Sequence, residues 1–422
     1  MPKKITNWRK SILLNPITEF FLAFSIIVVL PSVMRWAIEG GTFFSDYQTN
    51  TLLANGVAFS LSFLFLHKLK SMPNTRSLAY IIPTLSVAWL AVLAVFLFLR
   101  EASYARQVLL YSFLLANAWA FFSYSVLQGL KKPFYAIVPF GRTAELIDIA
   151  PHASIHTLTK PTIEQQHFDG IVADLHSSDL PAEWQRFLAN CTLAGTPVYH
   201  VQQVFESMTG RVKVERLSEN QFGSLQPSSF YFVFKRWIDC IAVFALAPLL
   251  LPIMLVTAIA IKIDSKGSVF YTQQRMGYRG RIFTMYKFRS MRNDIEGKGF
   301  TEGGDDPRIT RVGAFIRKYR IDELPQVLNI LKGEMSFIGP RPESYELSQW
   351  YEKDVPFFSY RHIVRPGISG WAQVNQGYAA EVEGMVIKIQ YDFFYIKHFS
   401  LWLDLIIVTK TLRTVLTGFG AR

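Results

Sequence analysis

Cysteine is nearly absent from this sequence: Cys191 and Cys240 are the two among 422 residues. That excludes a disulfide scaffold, and no CxxC pair is present to build a zinc or redox motif. Charge is also scarce, at 18% Asp, Glu, Lys and Arg, against roughly 25% in soluble domains. With half the residues hydrophobic, disorder, collagen and coiled coil are excluded. From residue 262 onward there is no P-loop, nucleophile elbow or zinc-ligand spacing. The net charge of +12 suits nucleic acid by sign alone, but no nucleic-acid motif accompanies it, and a nucleic-acid partner is not expected.

The charge is unevenly placed. Residues 1–132 hold 12 Lys/Arg against 4 Asp/Glu, residues 133–234 hold 6 against 10, and residues 262–422 hold 24 against 17. The acid-poor first part contains four apolar stretches, at 17–38, 51–66, 77–99 and 107–130. Each approaches the ~20 residues a membrane helix needs. The first is too long for a signal peptide and lacks a small-residue cleavage site. Lys3, Lys4, Arg9, Lys10, Lys68, Lys70, Arg76, Lys131 and Lys132 lie on one side of these stretches, against Arg35, Arg100 and Arg106 on the other. The positive-inside rule then puts both ends of the four-helix unit in the cytoplasm.

A fifth apolar stretch, 241–261, carries Pro248 and Pro252. It is long enough to span. Charges flank it on both sides, however, and interior prolines remove hydrogen bonds and bend helices. The favoured reading is a helix that enters the bilayer, breaks near Pro252 and returns. The alternative is a full crossing.

Residues 134–215 alternate short apolar runs, at 134–138, 170–172 and 196–200, with helical segments, which predicts a small parallel sheet. Gly141 after the first run is a lone glycine and supports nucleotide binding only weakly. The simpler reading is a regulatory or dimerisation domain, with the whole chain a homodimer. His152, His156, His167, His176 and His200 lack metal spacing and read as surface or core residues.

The C-terminal part concentrates arginines, lysines and carboxylates among Gly/Pro turns. Lys287 and Arg289 are two apart, so an extended segment points both to one face. Arg317 precedes Asp322-Glu323-Leu324-Pro325-Gln326, where a helix is predicted to begin, with Gly333 closing it. A helix N-terminus and nearby arginines favour an ionised Asp322, suited to act as nucleophile or hold Mg²⁺. Gly339-Pro340-Arg341-Pro342 presents one arginine. Guanidinium forks match phosphate oxygens, so the pattern predicts a polyanionic substrate. Lys388, Lys397, Lys410 and Arg413 read instead as a basic surface against anionic lipid.

Residues 235–420 resemble the bacterial sugar transferase family, the monotopic phosphoglycosyl transferases. The motifs, in order, are Tyr271-Thr272-Gln273-Gln274-Arg275-Met276-Gly277, Lys287-Phe288-Arg289-Ser290-Met291, Asp305-Asp306-Pro307-Arg308, Asp322 to Gln326, Ser336-Phe337-Ile338-Gly339-Pro340-Arg341-Pro342, and Arg365-Pro366-Gly367-Ile368-Ser369-Gly370-Trp371-Ala372-Gln373. The resemblance implies transfer of a sugar-1-phosphate from a UDP-sugar to undecaprenyl phosphate with release of UMP. This is a first membrane step of exopolysaccharide, capsule or O-antigen synthesis. It implies Asp322 as nucleophile and Mg²⁺ ligand, with Glu323 binding, positioning or managing protons. Arg317 and Arg341 match phosphate-contacting positions; Lys287, Arg289, Arg365 and Gln373 sit in shared motifs. Two departures stand out. Leu251 replaces a serine common before the helix-breaking proline. Val374-Asn375 is followed by Gln376-Gly377-Tyr378 without the usual arginine, which leaves Arg361 or Arg365 to supply that charge.

The implied architecture is a membrane-associated α/β chain. It has a four-helix transmembrane bundle (1–132), a small Rossmann-like α/β cytoplasmic domain (133–227) and a C-terminal catalytic domain (228–422). The last carries a re-entrant helix (238–263) and amphipathic interfacial helices. The implied location is the bacterial inner membrane, multi-pass, in contact with membrane lipid, with the catalytic domain on the cytoplasmic face. The transferred sugar is not specified by these residues.

Overall fold

The computed structural model describes residues 15–40, 45–71, 81–98, 105–130, 134–146, 154–163, 168–213, 227, 229–292, 306, 308–376 and 382–417. Lys3, Lys4, Arg9, Lys10, Arg76, Arg100, Lys131, Lys132, His152, His167, Asp305, Pro307, Gly377 and Tyr378 lie outside them, and for Lys68, Lys70 and Arg413 only the backbone is described. The chain forms two compact units, Met1–Thr209 and Gly210–Arg422.

In the first unit, helices form at all four predicted apolar stretches. They are α1 (Pro16–Phe24) and α2 (Leu30–Glu39), joined by a π-helical turn at Ser25–Val29, then α3 (Asp46–Ser71), α4 (Ile81–Phe98) and α5 (Arg106–Leu130). Segments Pro16–Ile38 and Asp46–His67 are long and apolar enough to cross a membrane. These helices share one core built on Ala23, Ile27, Ala54, Ala58, Leu85, Trp89 and Ala116. Small alanines let the helix backbones approach closely, which is how apolar helices gain packing energy where no water drives them together. Glu19, the one acid inside the first stretch, accepts a hydrogen bond from Ser123 Oγ, as an intramembrane polar group must.

The same unit contains a four-stranded parallel sheet of β1 (Phe134–Ile137), β2 (Ser154–Thr157), β3 (Gly170–Ala173) and β4 (Val198–His200), in the order β2-β1-β3-β4. Helices α6 (Ala182–Leu193) and α7 (Val201–Thr209) follow β3 and β4. Strand β2 is additional to the three predicted. It is an edge strand, exposed or half-buried along its whole length, so its residues carry no apolar signal. Trp184, Leu188 and Cys191 on α6 cover one sheet face, and Val201, Val204 and Phe205 on α7 cover the other.

The second unit starts with α8 (Ser229–Asp264), 36 residues long, which runs as helix through Pro248 and Pro252. The predicted break near Pro252 is therefore not an interruption of the helix. A proline removes one backbone donor, and the flanking turns keep theirs. Phe230, Trp237, Ile241, Phe244, Leu249, Leu251, Leu255, Val256 and Ile263 project outward, most of them more than 60% exposed. Beyond α8, the hairpin β5 (Phe270–Met276) and β6 (Ile282–Phe288) pairs antiparallel, and the short parallel pair β7 (Ser336–Ile338) and β8 (Gly367–Ser369) lies next in the chain. Helices α9 (Arg311–Lys318), α10 (Val327–Lys332), α11 (Tyr345–Asp354), α12 (Trp371–Asn375), α13 (Val382–Lys397) and α14 (Leu401–Thr417) complete the unit.

Both ends of α8 are bonded to this unit. Near its start, Lys235 pairs with Asp404 of α14, Tyr231 donates to the same carboxylate at 2.5 Å, and Arg236 donates to the carbonyls of Ile330 and Leu331. At its end, Asp264 accepts from the amide of Val312 at 3.1 Å. Between these points Val243, Leu250 and Met254 pack on Phe283, Met285, Val327, Ile330 and Met335.

Candidate active site

The Asp322-Glu323 pair lies in a 3₁₀ turn, Ile321–Gln326, and the α-helix begins only at Val327. Gly333 closes that helix in the left-handed region at φ 81°, as predicted. The turn is entered through Arg320, itself left-handed at φ 57°. A non-glycine residue held there carries strain of about 1–3 kcal/mol.

Glu323 is buried and surrounded by cations. Its Oε1 accepts from Lys287 Nζ at 3.0 Å and Arg341 Nη2 at 2.7 Å, and Arg320 Nη1 stands 3.9 Å from Oε2. Burial alone would raise the Glu323 pKa, but Arg341 and Lys287 outweigh it and hold the carboxyl far below its usual range. Asp322 behaves differently. It is partly exposed. Its pKa rises to about 6, first through loss of solvent and then through the adjacent Glu323 charge, with Lys287, Arg320 and Arg341 opposing. The expectation that a helix N-terminus and arginines would favour ionised Asp322 is corrected here. The turn is 3₁₀, and the cations are bonded to Glu323 instead.

Three elements bring these groups together. Asn329 on α10, fully buried, accepts from the Tyr286 amide at 3.2 Å and donates to the Thr284 carbonyl and Glu334 Oε2, both at 2.7 Å. It stitches β6 to the helix after Glu323, so Lys287 on that strand reaches Glu323. Arg341 arrives on the turn after β7. That turn is pressed against the loop leading into β8: a Cβ at Gly339 would lie 2.3 Å from the Arg365 carbonyl, and one at Gly367 would lie 2.1 Å from the Gly339 amide nitrogen. Only glycine permits that approach. Arg361 Nη2 donates to the Arg341 carbonyl at 2.9 Å, and Arg275 Nη1 to the Pro342 carbonyl at 3.1 Å.

The predicted residues thus divide. Lys287 and Arg341 meet at the Asp322-Glu323 turn. Arg317 is on the last turn of α9 and lies in the field of Asp306. Arg308 hydrogen-bonds Asp306 at 2.6–3.2 Å, and this, ahead of Arg317, brings the Asp306 pKa to about 2. Arg289 does not join them. It is buried, and its guanidinium donates to the carbonyls of Ser265 and Lys266 at 2.8 Å, closing the loop after α8. Arg365 donates to the Gly333 carbonyl at 3.0 Å and stacks over Phe232. Gln373 donates to the Ile368 carbonyl at 3.1 Å.

Arg361, a candidate for the missing arginine, is 2% exposed and ion-paired with Asp392 at 2.8 Å. Lys388 and Lys410 are not lipid-facing: Lys388 is buried against Glu343, and Lys410 bonds Asn375 Oδ1 at 2.5 Å over the ring of Trp371. Asn329, Glu343, Arg361, Asp392 and Asp404 all support the site, and local spacing in the sequence signals none of them.

Comparison with known proteins agrees with this geometry. The bacterial sugar transferase family model matches residues 230–418. The chain is 45% identical over 424 aligned residues to the UDP-N-acetylgalactosamine-undecaprenyl-phosphate N-acetylgalactosaminephosphotransferase of Aeromonas hydrophila, covering 100% of this chain and 99% of that one. The chain belongs to the bacterial sugar transferase family. This sugar transferase is also 45% identical over 199 residues to the UDP-glucose:undecaprenyl-phosphate glucose-1-phosphate transferase of Xanthomonas campestris pv. campestris, covering 46% of this chain and 41% of that protein. An uncharacterized sugar transferase of Bacillus subtilis matches 44% of this chain across 90% of its own length, at 39% identity.

Proposed function

We propose that this sugar transferase moves a sugar-1-phosphate from a UDP-sugar to undecaprenyl phosphate through a phosphosugar–aspartyl intermediate on Asp322. The observation that carries the proposal is the division of labour at the turn: Glu323 is bonded by Lys287 and Arg341, and its neighbour Asp322 is left partly exposed and under-compensated. In the first step an Asp322 carboxylate oxygen bonds to the β-phosphorus of the donor. The bond from that phosphorus to the bridging oxygen breaks, and UMP leaves with the electron pair. In the second step a phosphate oxygen of the polyprenyl acceptor attacks the same phosphorus and Asp322 is released as carboxylate. Neither step requires a net proton transfer. Arg341 and Lys287 are fixed by Glu323 before substrate arrives, so their remaining donors meet the diphosphate preorganised. Arg317 is placed to extend that positive field.

Mg²⁺ takes oxygen ligands, usually one or two carboxylates plus substrate phosphates. Asp322 fits that description, whereas Glu323 already has its lone pairs occupied. Bound there, the ion would supply neutralisation of the diphosphate charge.

We also read the first unit's four helices as a transmembrane bundle in the bacterial inner membrane and α8 as a helix that enters the cytoplasmic leaflet without crossing. Support comes from the bonds at both of its ends to one folded unit, and from the outward apolar face between them. The homodimer expected from the middle domain remains part of the proposal.

The test is product analysis with undecaprenyl phosphate and a panel of UDP-sugars, UDP-N-acetylgalactosamine first. UMP is expected; UDP would instead identify an ordinary glycosyltransferase. Full turnover by Asp322→Asn would remove the covalent route. Single cysteines placed at Phe230 and Ser265, with Cys191 and Cys240 replaced, are expected to label from the cytoplasmic side. Labelling of Ser265 from outside would mean that α8 crosses.

A further inference from the structure

The five histidines of the middle segment show no metal spacing in the sequence, yet the fold brings two of them together with an acid. His176 Nδ1 and His200 Nε2 are 2.9 Å apart, and His200 Nε2 is 3.5 Å from Asp174 Oδ1. One ligand atom from each of the three residues lies within 4.8 Å of those of the other two.

The place is as telling as the distances. In the order β2-β1-β3-β4, the chain leaves β1 toward one edge for β2 and lies on its other side for β3. The carboxyl ends of β1 and β3 therefore flank the topological switch point, where open parallel sheets hold their ligands. Asp174 directly follows β3, His200 ends β4, and Gly141 lies in the loop after β1. Gly141 has φ +65°, and a Cβ there would stand 2.5 Å from Asp174 Oδ2. The lone glycine noted in the sequence makes room for this carboxylate.

The remaining contacts orient the three groups. Asp174 is buried; its Oδ2 accepts from the Arg142 amide at 3.1 Å and lies 3.8 Å from Arg142 Nε, and its Oδ1 accepts from the His176 amide at 3.3 Å. Arg142 thus sits on the oxygen away from the histidines. The amide of Gln202 donates to His200 Nδ1 at 3.1 Å. That nitrogen must be unprotonated, so in neutral His200 it is Nε2 that carries the proton. This single proton is directed toward both His176 Nδ1 and Asp174 Oδ1. An ion in its place would satisfy all three at once.

We propose that Asp174, His176 and His200 form a binding site for one divalent transition-metal ion, Zn²⁺ being the ion their ligand set matches. Tetrahedral Zn²⁺ with bonds of ~2.0–2.1 Å sets its ligand atoms about 3.3 Å apart, close to the 2.9 and 3.5 Å found here. Two imidazoles and one carboxylate suit Zn²⁺ and disfavour Mg²⁺, which prefers an all-oxygen set. The amide on His200 Nδ1 and the Arg142 contacts fix ligand orientation as outer partners do in metal sites. His176 is exposed, so the ion has an entry path. Three protein ligands leave a fourth position for water or an exchangeable ligand. The site is independent of the reaction assigned to Asp322.

The test uses the untagged full-length protein, stripped with chelator and titrated with Zn²⁺ by calorimetry and with Co²⁺ by visible absorption. The wild type is expected to bind one more equivalent of Zn²⁺ than the His176→Gln/His200→Gln double variant and to show a tetrahedral Co²⁺ spectrum that the double variant lacks. Asp322→Asn should keep both signals, separating this site from the catalytic turn. Equal stoichiometry and equal spectra in the wild type and the double variant would overturn the proposal, as would an octahedral Co²⁺ spectrum. Should the double variant misfold, His176→Gln alone carries the test. It alters an exposed side chain and is expected to weaken Zn²⁺ binding at least tenfold; unchanged binding would count against the site.

Discussion

Arg361 donates from Nη2 to the main-chain carbonyl of Arg341, 2.9 Å away. A guanidinium sealed from solvent thus sets the height of one facing the reaction. Arg361 is itself held by Asp392 at 2.8 Å, and both side chains are about 1% exposed. Removing one member of such a pair leaves an uncompensated buried charge, at a cost of about 3–5 kcal/mol. Arg361→Ala is therefore expected to lower thermal stability by that order. Arg361→Met combined with Asp392→Leu should recover part of it while leaving kcat/KM low, because the Arg341 carbonyl stays unsupported. Thermal unfolding and kinetics on the same preparations check both halves.

Asp322→Asn and Glu323→Gln are expected to fail in different ways. The first should reduce turnover at least 10³-fold with thermal stability unchanged or raised, since it removes a carboxylate crowded by its neighbour's charge. The second leaves Lys287 and Arg341 facing each other without their counter-charge, and should lower stability by about 3–5 kcal/mol as well as activity. Equal thermal shifts in the two variants would contradict the division of roles.

Glu343 predicts a pH dependence of stability. Burial works to raise its pKa, but Lys388 and Arg361 overcome this and bring it to about 2. Because the folded value lies below the unfolded one of roughly 4.3, the stabilisation is complete above the unfolded value. It is lost as pH falls from about 4.3 toward 2. Glu343→Gln should remove that part of the acid transition, on the order of 3 kcal/mol. Acid denaturation of the two proteins, followed by tryptophan fluorescence, measures the difference.

Gly339→Ala should be disabling although it adds one methyl group. The new Cβ would fall 2.3 Å from the Arg365 carbonyl, and backbone cannot yield as a side-chain end does. A destabilisation of about 1–3 kcal/mol is expected, with a larger loss of kcat/KM because the displaced turn carries Arg341. Parallel activity and melting series would show a mere packing role if the two losses tracked each other.

What could be read in the sequence depended on how local the signal was. Apolar length alone located α1 to α5 and α8, and Gly333 marked a helix end because its left-handed conformation is a property of one residue. The motif glycines and prolines around Arg341 were visible, though not the pressure between the two turns that requires them. Strand β2 escaped because an exposed edge strand has no buried face to impose alternation. Asn329, Glu343 and Asp404 escaped for another reason. Glu343 meets Lys388 across 45 residues and Asp404 meets Lys235 across 169, so no spacing rule connects them. Lys388 and Lys410 show the reverse error. Basic residues flanking an apolar helix suggest a lipid surface, yet these two are turned inward to buried acceptors. The histidines are a related case, since strand order and not sequence spacing brings His176 to His200.

Asp404 has a consequence for how the chain is made. Its carboxylate receives Tyr231 and Lys235 from the first helix of its unit and Tyr395 from the penultimate one. Synthesis at about 5–20 residues per second puts roughly 10 to 30 s between the appearance of Lys235 and that of its partner. During that interval α8 is already a long apolar helix with an unmatched ammonium near its start. The growing chain must therefore hold the first helix of this unit in an incomplete state until almost its last residues emerge. A protein shortened by its final helix would retain the whole reacting turn and lack the acid that closes the unit around it.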